Sequence, residues 1–201
     1  MTPLSAVPSP ADEPTGIPAQ GLASVDDDVA AVDDDDWSAA HQPSTDPEAL
    51  LLSALMWSNH PAGPTAEAQR IIAAVTATDF NAAAYARLYE VIAALVVAGE
   101  QHDPASVTHA LARAGSSGHT GDSLRHRLTG VATAGGHAAA AAHYADMVLS
   151  QAYRRSYRTV GDAIAQAADE LPEEQLFDHM VERGRTQRAL WNRLNTFRGE
   201  R

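Results

Sequence analysis

From about His137 to Asp169 the chain runs without an internal proline, and its apolar and aromatic residues recur at helical spacing: Tyr144, Val148, Tyr153, Tyr157, Val160 and Ile164. A stripe sustained over that distance commits the segment to one long helix. Leu171-Pro172-Glu173-Glu174 is a break followed by a fresh start. A second long helical stretch then carries Leu176, Met180, Leu190, Trp191, Leu194 and Phe197. Two long helices joined by a tight turn form an αα-hairpin. No period-two strand pattern occurs anywhere, so the expected fold is all-α.

The chain before the hairpin reads as five shorter helices. Asp46-Pro47-Glu48 opens the first: Asp caps free amides, Pro fits the first turn and Glu faces the positive end of the helix dipole. Leu51, Leu52, Leu55 and Met56 follow at helical spacing, and Asn59-His60-Pro61-Ala62-Gly63-Pro64 breaks it. A second helix is expected from Ala66 to Val75, with Ile71, Ile72 and Val75 inward. The third has Tyr85, Leu88, Tyr89, Ile92, Leu95 and Val96 on one face and Gly99 as a left-handed stop. Asp103-Pro104 repeats the start signature, with Val107 and Leu111 inward and Gly115 as the stop. After a Gly/Ser loop, a shorter helix carries Leu124, Leu128 and Val131 up to Gly135-Gly136. The expected architecture is a compact five-helix head over 46–134 followed by a helical hairpin over 135–198.

Residues 1–45 are rich in Pro, Ala, Ser and Asp without apolar periodicity. Such a segment buries too little surface to offset its ordering entropy, so a disordered acidic tail is expected. The net charge of −12 is unevenly placed. Residues 1–48 hold eleven acids and no base, the remainder fifteen acids and fourteen bases, and residues 183–201 six arginines against Glu200 alone. There is no cysteine, which excludes disulfides and thiolate metal sites. No apolar run approaches the roughly 20 residues that span a bilayer. No base precedes Arg70 to form a signal-peptide n-region. A soluble, cytoplasmic protein without membrane association is expected.

Several stretches, taken in order, resemble the N-terminal domain of the DnaB replicative helicases. Glu48-Ala49-Leu50-Leu51-Leu52-Ser53-Ala54-Leu55-Met56 is similar to that family's opening helix, with Ser53 where its pattern has Gly. Thr78-Asp79-Phe80 and Tyr89-Glu90-Val91-Ile92 resemble its Asp-Phe-Tyr and Phe-Glu-Ala-Ile stretches. Gly99-Glu100-Gln101-His102-Asp103 with Val107-Thr108 resembles Gly-x-x-Ile-Asp plus Val-Thr, with His102 in the Ile place. His143-Tyr144-Ala145-Asp146-Met147-Val148 with Tyr153-Arg154-Arg155 resembles the first hairpin helix. The likeness runs from about Asp46 to Leu194. One departure is Gly135-Gly136-His137-Ala138, where the family has Ala-Asn leading into the hairpin.

A DnaB helicase continues into a RecA-like motor with a Walker A loop, whose lysine reaches the β and γ phosphate oxygens. This sequence has no Gly-x-x-x-x-Gly-Lys-Ser/Thr and no lysine at all. ATP hydrolysis is therefore not expected of it. The resemblance implies assembly instead: pairing of hairpins into a collar and docking of primase or loader proteins.

Other chemistry finds no footing. His137 and His143 are six apart and His102 and His109 seven apart, unlike the i, i+4 pair of a helical zinc site, and no His-Glu-x-x-His occurs. No Ser sits in a Gly-x-Ser-x-Gly elbow, and the Asp runs 26–28 and 33–36 lack EF-hand spacing. Neither a cofactor nor a metal nor enzymatic activity is expected. The hairpin tyrosines Tyr144, Tyr153 and Tyr157 either pack the hairpin on itself or form a partner face. The arginines Arg154, Arg155, Arg158, Arg183, Arg185, Arg188, Arg193, Arg198 and Arg201 either pair with Glu170, Glu173, Glu174 and Glu182 or form an electrostatic footprint for nucleic-acid phosphates or an acidic partner.

The expected function is non-catalytic association in DNA replication, as a homo-oligomer or with a replicative helicase or primase. The expected contact residues are Tyr144, Val148, Tyr153, Arg154, Arg155, Tyr157, Met180, Leu190, Trp191 and Leu194. Two alternatives stand beside it. One is a DNA-binding protein using Arg183, Arg185, Arg188, Arg193 and Arg198; the other is the detached collar subunit of a split ATP-dependent helicase.

Overall fold

A computed structural model of the chain describes residues 42–115 and 119–199. Most of the expected acidic tail (1–41), part of the Gly/Ser loop (116–118) and Arg201 lie outside the described residues. Among those described there are seven α-helices and no strand: α1 (Pro47–Met56), α2 (Ala66–Ala74), α3 (Ala83–Val97), α4 (Pro104–Arg113), α5 (His119–Ala132), α6 (Ala141–Glu170) and α7 (Glu173–Arg198). The fold is all-α, five short helices followed by a long hairpin.

Local chemistry sets most of the helix ends. The Asp46 side chain accepts the Glu48 N–H at 2.9 Å to start α1, and Thr65 Oγ1 accepts the Ala68 N–H at 3.1 Å to start α2. Asp103 Oδ1 takes the N–H groups of Ala105 and Ser106 at 2.9 and 3.1 Å to start α4. Burial pushes the Asp103 carboxyl up, but the donors from Ser106 and Ala105 outweigh it and hold it below its ordinary range. Gly99 and Gly115 close α3 and α4 with φ of +73° and +75°. Two short 3₁₀ turns, Ala77–Asp79 and Ala138–Ala140, join the longer elements.

α1 lies at the centre. Leu51, Leu52, Ala54, Leu55 and Met56 are all inaccessible to solvent, as expected of a helix that is apolar around its circumference. It packs against α3, α5 and α6. One core joins the head to the root of the hairpin. Ile71, Leu88, Ile92, Val107, Leu111, Leu128 and Val131 share it with Ala141, Ala145, Val148 and Leu149 of α6 and Leu194 and Phe197 of α7. Where the chain turns from α5 into α6, Gly136 lies against the α1 backbone and donates its N–H to Ser53 Oγ at 3.2 Å.

The hairpin stripe changes character along its length. Near the root α6 packs against α1 and α2 as well as α7, so its buried arc is wide. Farther out only α7 faces it, the arc narrows, and Ala167 is the buried apolar side chain that remains. Tyr157 and Ile164, on the expected stripe, therefore stay exposed.

Candidate interaction surface

The hairpin root is held by a polar clamp on buried carboxylates. Asp79, in the 3₁₀ turn after α2, accepts the Thr76 N–H and hydroxyl on Oδ2 at 2.7 and 2.9 Å, and Arg193 Nη2 of α7 on Oδ1 at 2.5 Å. Arg155 of α6 donates to the Asp79 carbonyl and lies 3.5 Å from the Glu48 carboxylate. Glu48, read from sequence as a dipole-facing first-turn residue, accepts the N–H groups of Asn81 and Ala82 at 2.7 and 3.3 Å. Its carboxylate thus serves the start of α3. Arg198 pairs with Asp146 at 2.5 Å between α7 and α6. Arg70 of α2 donates to the Phe197 carbonyl at 3.0 Å, its guanidinium 4.4 Å over the Phe197 ring.

Burial raises the Glu48 carboxyl above its ordinary 4.5, opposed by the two backbone donors, assisted by the charge of Asp46 and opposed again by Arg155. The folded chain therefore holds this proton more tightly than the unfolded chain. The resulting stability is fully present below pH 4.5 and is lost as pH rises through the folded value. A side-chain carboxyl NMR titration is expected to place the Glu48 midpoint above 4.5, and E48Q to flatten that part of the stability–pH curve. A midpoint at or below the ordinary value would contradict the assignment.

The residues singled out from sequence divide among three places. Val148 and Leu194 are buried in the chain's own core, and Tyr144 and Tyr153 pack partly against it. Arg155, Arg193 and Arg198 belong to the clamp and its neighbouring pair. Arg154, Arg183, Arg185 and Arg188 are exposed, and Leu190 is half-buried. Farther out, Tyr157 is 62% exposed and Met180 49%, while Trp191, at the level of Tyr153 near the root, is 39% exposed. Tyr153 bridges these groups, its ring centroid 5.6 Å from Trp191 and 5.9 Å from Tyr157. Phe177, 67% exposed, and Ile164, 40% exposed, extend the apolar surface. Phe177 was not singled out beforehand, since one aromatic next to Leu176 carries no signal of which side faces water.

Among the described residues no group of three His, Asp or Glu side chains is placed to hold a metal ion. No described helix is long and apolar enough to cross a membrane. What the arrangement offers is a rooted hairpin whose outer half shows aromatic and apolar side chains flanked by arginines.

Residues 40–150, more than half of the chain, match the family described as the DnaB-like helicase N terminal domain. No curated protein matches the chain. Among solved structures, the N-terminal domain of DnaB helicase from Mycobacterium tuberculosis is similar at 20% identity with a TM-score of 0.59, covering 70% of this chain and 94% of that one. At that identity the likeness speaks for the fold. The all-helical fold, the Glu48, Asp79 and Arg155 stretches that close its root, and the family match agree: this chain belongs to the DnaB-like helicase N-terminal domain family.

Proposed function

We propose that the chain is a non-catalytic module of DNA replication that works by helix-hairpin association with itself, a replicative helicase or a primase. The observation that carries this reading is the outer half of the hairpin. There Tyr157, Ile164, Phe177 and Met180 stay in water on two helices that have only each other to pack against. Val148, Leu194, Arg155 and Arg193 then act by anchoring that surface to the head, and Tyr153, Arg154, Tyr157, Met180, Leu190 and Trp191 are left to meet the partner.

Light scattering on the full chain, alone and mixed with the host's replicative helicase and primase, tests this. A dimer, a larger assembly or a stable mixed complex is expected. Replacing Tyr157, Phe177 and Met180 by Ser is expected to weaken that association by about thirtyfold or more, roughly 2 kcal/mol, with helical content unchanged. A monomer that binds neither protein would overturn the proposal.

A second reading draws on Arg183, Arg185 and Arg188, which are exposed on α7. Nucleic-acid binding through them would fall steeply with salt, whereas docking through the apolar residues would not.

A further inference from the structure

One side of the outer hairpin is built from two lines of exposed residues. Along α6 these are Tyr157, Gly161, Ile164 and Ala168, whose spacing keeps them within about 60° of one another round the helix. Along α7 they are Glu173, Phe177, Met180, Gly184 and Arg188, within about 80°. Tyr153 and Trp191 lie on the same two lines nearer the root, and their rings are 5.6 Å apart, so both lines face one side. Asp162 and Glu182 are turned about 140° from Tyr157 and Phe177, off this face. Glycine weakens a helix interior relative to alanine. A Cβ at Gly161 or Gly184 would meet no atom within 4 Å, so the chain's own packing requires neither.

The face is self-complementary. Laid against itself in the opposite direction, the α6 line sets large side chains on small ones: Tyr157 comes opposite Ala168, and Ile164 opposite Gly161. The α7 line sets Phe177 opposite Gly184 and Arg188 opposite Glu173. Neither Arg188 nor Glu173 has an ion-pair partner among the described residues. The midpoints of both lines lie between six and seven residues beyond the Ser156–Gln187 hydrogen bond, so a single two-fold axis serves both helices. Stacking with the tips side by side would instead bring Arg188 level with Arg154 and Arg158 of the other copy, and Glu173 level with Asp169 and Glu170, like charge on like.

We propose that two copies of this chain stack these faces with their hairpin tips pointing in opposite directions, each Phe177 over Gly184 and each Arg188 beside Glu173 of the other copy. This rests on the association reading above and adds the occupant and its register. The face is about 22 Å long from Glu173 to Arg188 and two helices, about 20 Å, wide. It covers roughly 450 Å² on each copy, below the roughly 800 Å² of a standard interface, so the pair is weak and reversible.

Sedimentation equilibrium of the full chain, over a concentration series through the micromolar range, tests the register. Arg188→Glu alone and Glu173→Arg alone are each expected to weaken pairing about tenfold, because the two-fold axis turns two attractive contacts into two repulsive ones. An equal mixture of the two variants is expected to pair about as tightly as the unaltered chain, since every altered contact then meets its opposite. Gly184→Leu fills the space that Phe177 of the other copy takes. It is expected to weaken pairing about tenfold or more, while the melting temperature of the dilute chain holds or rises. Tighter pairing by Arg188→Glu alone would overturn the proposal in favour of tips side by side. A mixture no tighter than its components would overturn it too, as would Gly184→Leu pairing like the unaltered chain. A chain that stays monomeric throughout also overturns it; binding of that monomer to the host's helicase or primase would leave the association reading standing.

Discussion

Gly136→Ala is expected to cost about 3 kcal/mol of stability and to lower the melting temperature by roughly 6–12 °C. The reason is space. A Cβ at this position would stand 2.3 Å from the Leu50 carbonyl oxygen, 2.8 Å from the Ala54 nitrogen and 2.8 Å from Ser53 Cβ. Two of those atoms are backbone of α1, the most buried helix of the fold, and neither can rotate aside. The chain entering α6 would have to move away from α1, with loss of the Gly136 N–H to Ser53 Oγ bond and loosened packing of Ala141 and Ala145 behind it. Gly135→Ala is the control. Its φ of +85° strains an L residue, but no atom lies within 4 Å of the new methyl, so about 1 kcal/mol is expected. Thermal or denaturant unfolding of the two variants measures the difference, and equal costs would show that space at Gly136 is not the determinant.

This contact also joins two of the three places where the chain departs from the pattern it otherwise resembles. Ser53 stands for a Gly in the opening helix, and Gly136 lies where Ala-Asn leads into the hairpin. In the fold they touch: the side chain is on α1 and the empty position is on the facing segment. The sequence shows each departure separately, 83 residues apart, and nothing in local spacing says that they are neighbours.

What was legible in the sequence follows from range. Asp46-Pro47 and Asp103-Pro104 start helices through atoms two or three residues away, so composition alone locates them. The long α6 and α7 were legible because a stripe sustained over many turns has few competing explanations. The 3₁₀ turns at Ala77–Asp79 and Ala138–Ala140 were not, since three residues hold no period. Glu48 could be placed in a first turn but not on Asn81 and Ala82, because that bond exists only after α3 docks.

The interaction surface was legible as a stripe and not as a boundary. Val148 and Tyr157 are read as members of one stripe, yet nine residues at 100° apiece set them on opposite sides of α6, and one is inaccessible while the other is 62% exposed. Part of the difference is face, which exact helical spacing encodes and a loose stripe blurs; the rest is the head behind α6 at the level of Val148 and its absence farther out, which spacing does not encode. Arginine partners were hidden for the same reason. The hairpin acids Glu170, Glu173, Glu174 and Glu182 lie nearby in sequence, and of these Glu182 pairs with Arg185. Arg155, Arg193 and Arg198 instead reach Glu48, Asp79 and Asp146 across the fold.

Asp79→Ala is expected to destabilise the chain by about 3–5 kcal/mol, because it removes the acid from a buried ion pair and leaves the base behind. Asp79 is 2% exposed, and its carboxylate is shared between the Thr76 N–H and hydroxyl on one oxygen and Arg193 on the other. Its loss strands a half-buried guanidinium, leaves the Thr76 N–H without its acceptor and frees the last turns of α7 from the head. Asp79→Asn keeps one oxygen for Thr76 and loses the charge, so about half that cost is expected. The decisive measurement is a double-mutant cycle with Arg193→Met. If the clamp works as described, removing both partners costs less than the sum of the single changes, by about 2 kcal/mol. Hydrogen exchange in 190–198 should also quicken in Asp79→Ala, while exchange in α4, on the other side of the head, stays slow until global unfolding. A cost below about 1 kcal/mol, or strict additivity with Arg193→Met, would mean that the apolar root formed by Val148, Leu194 and Phe197 holds the hairpin without the clamp.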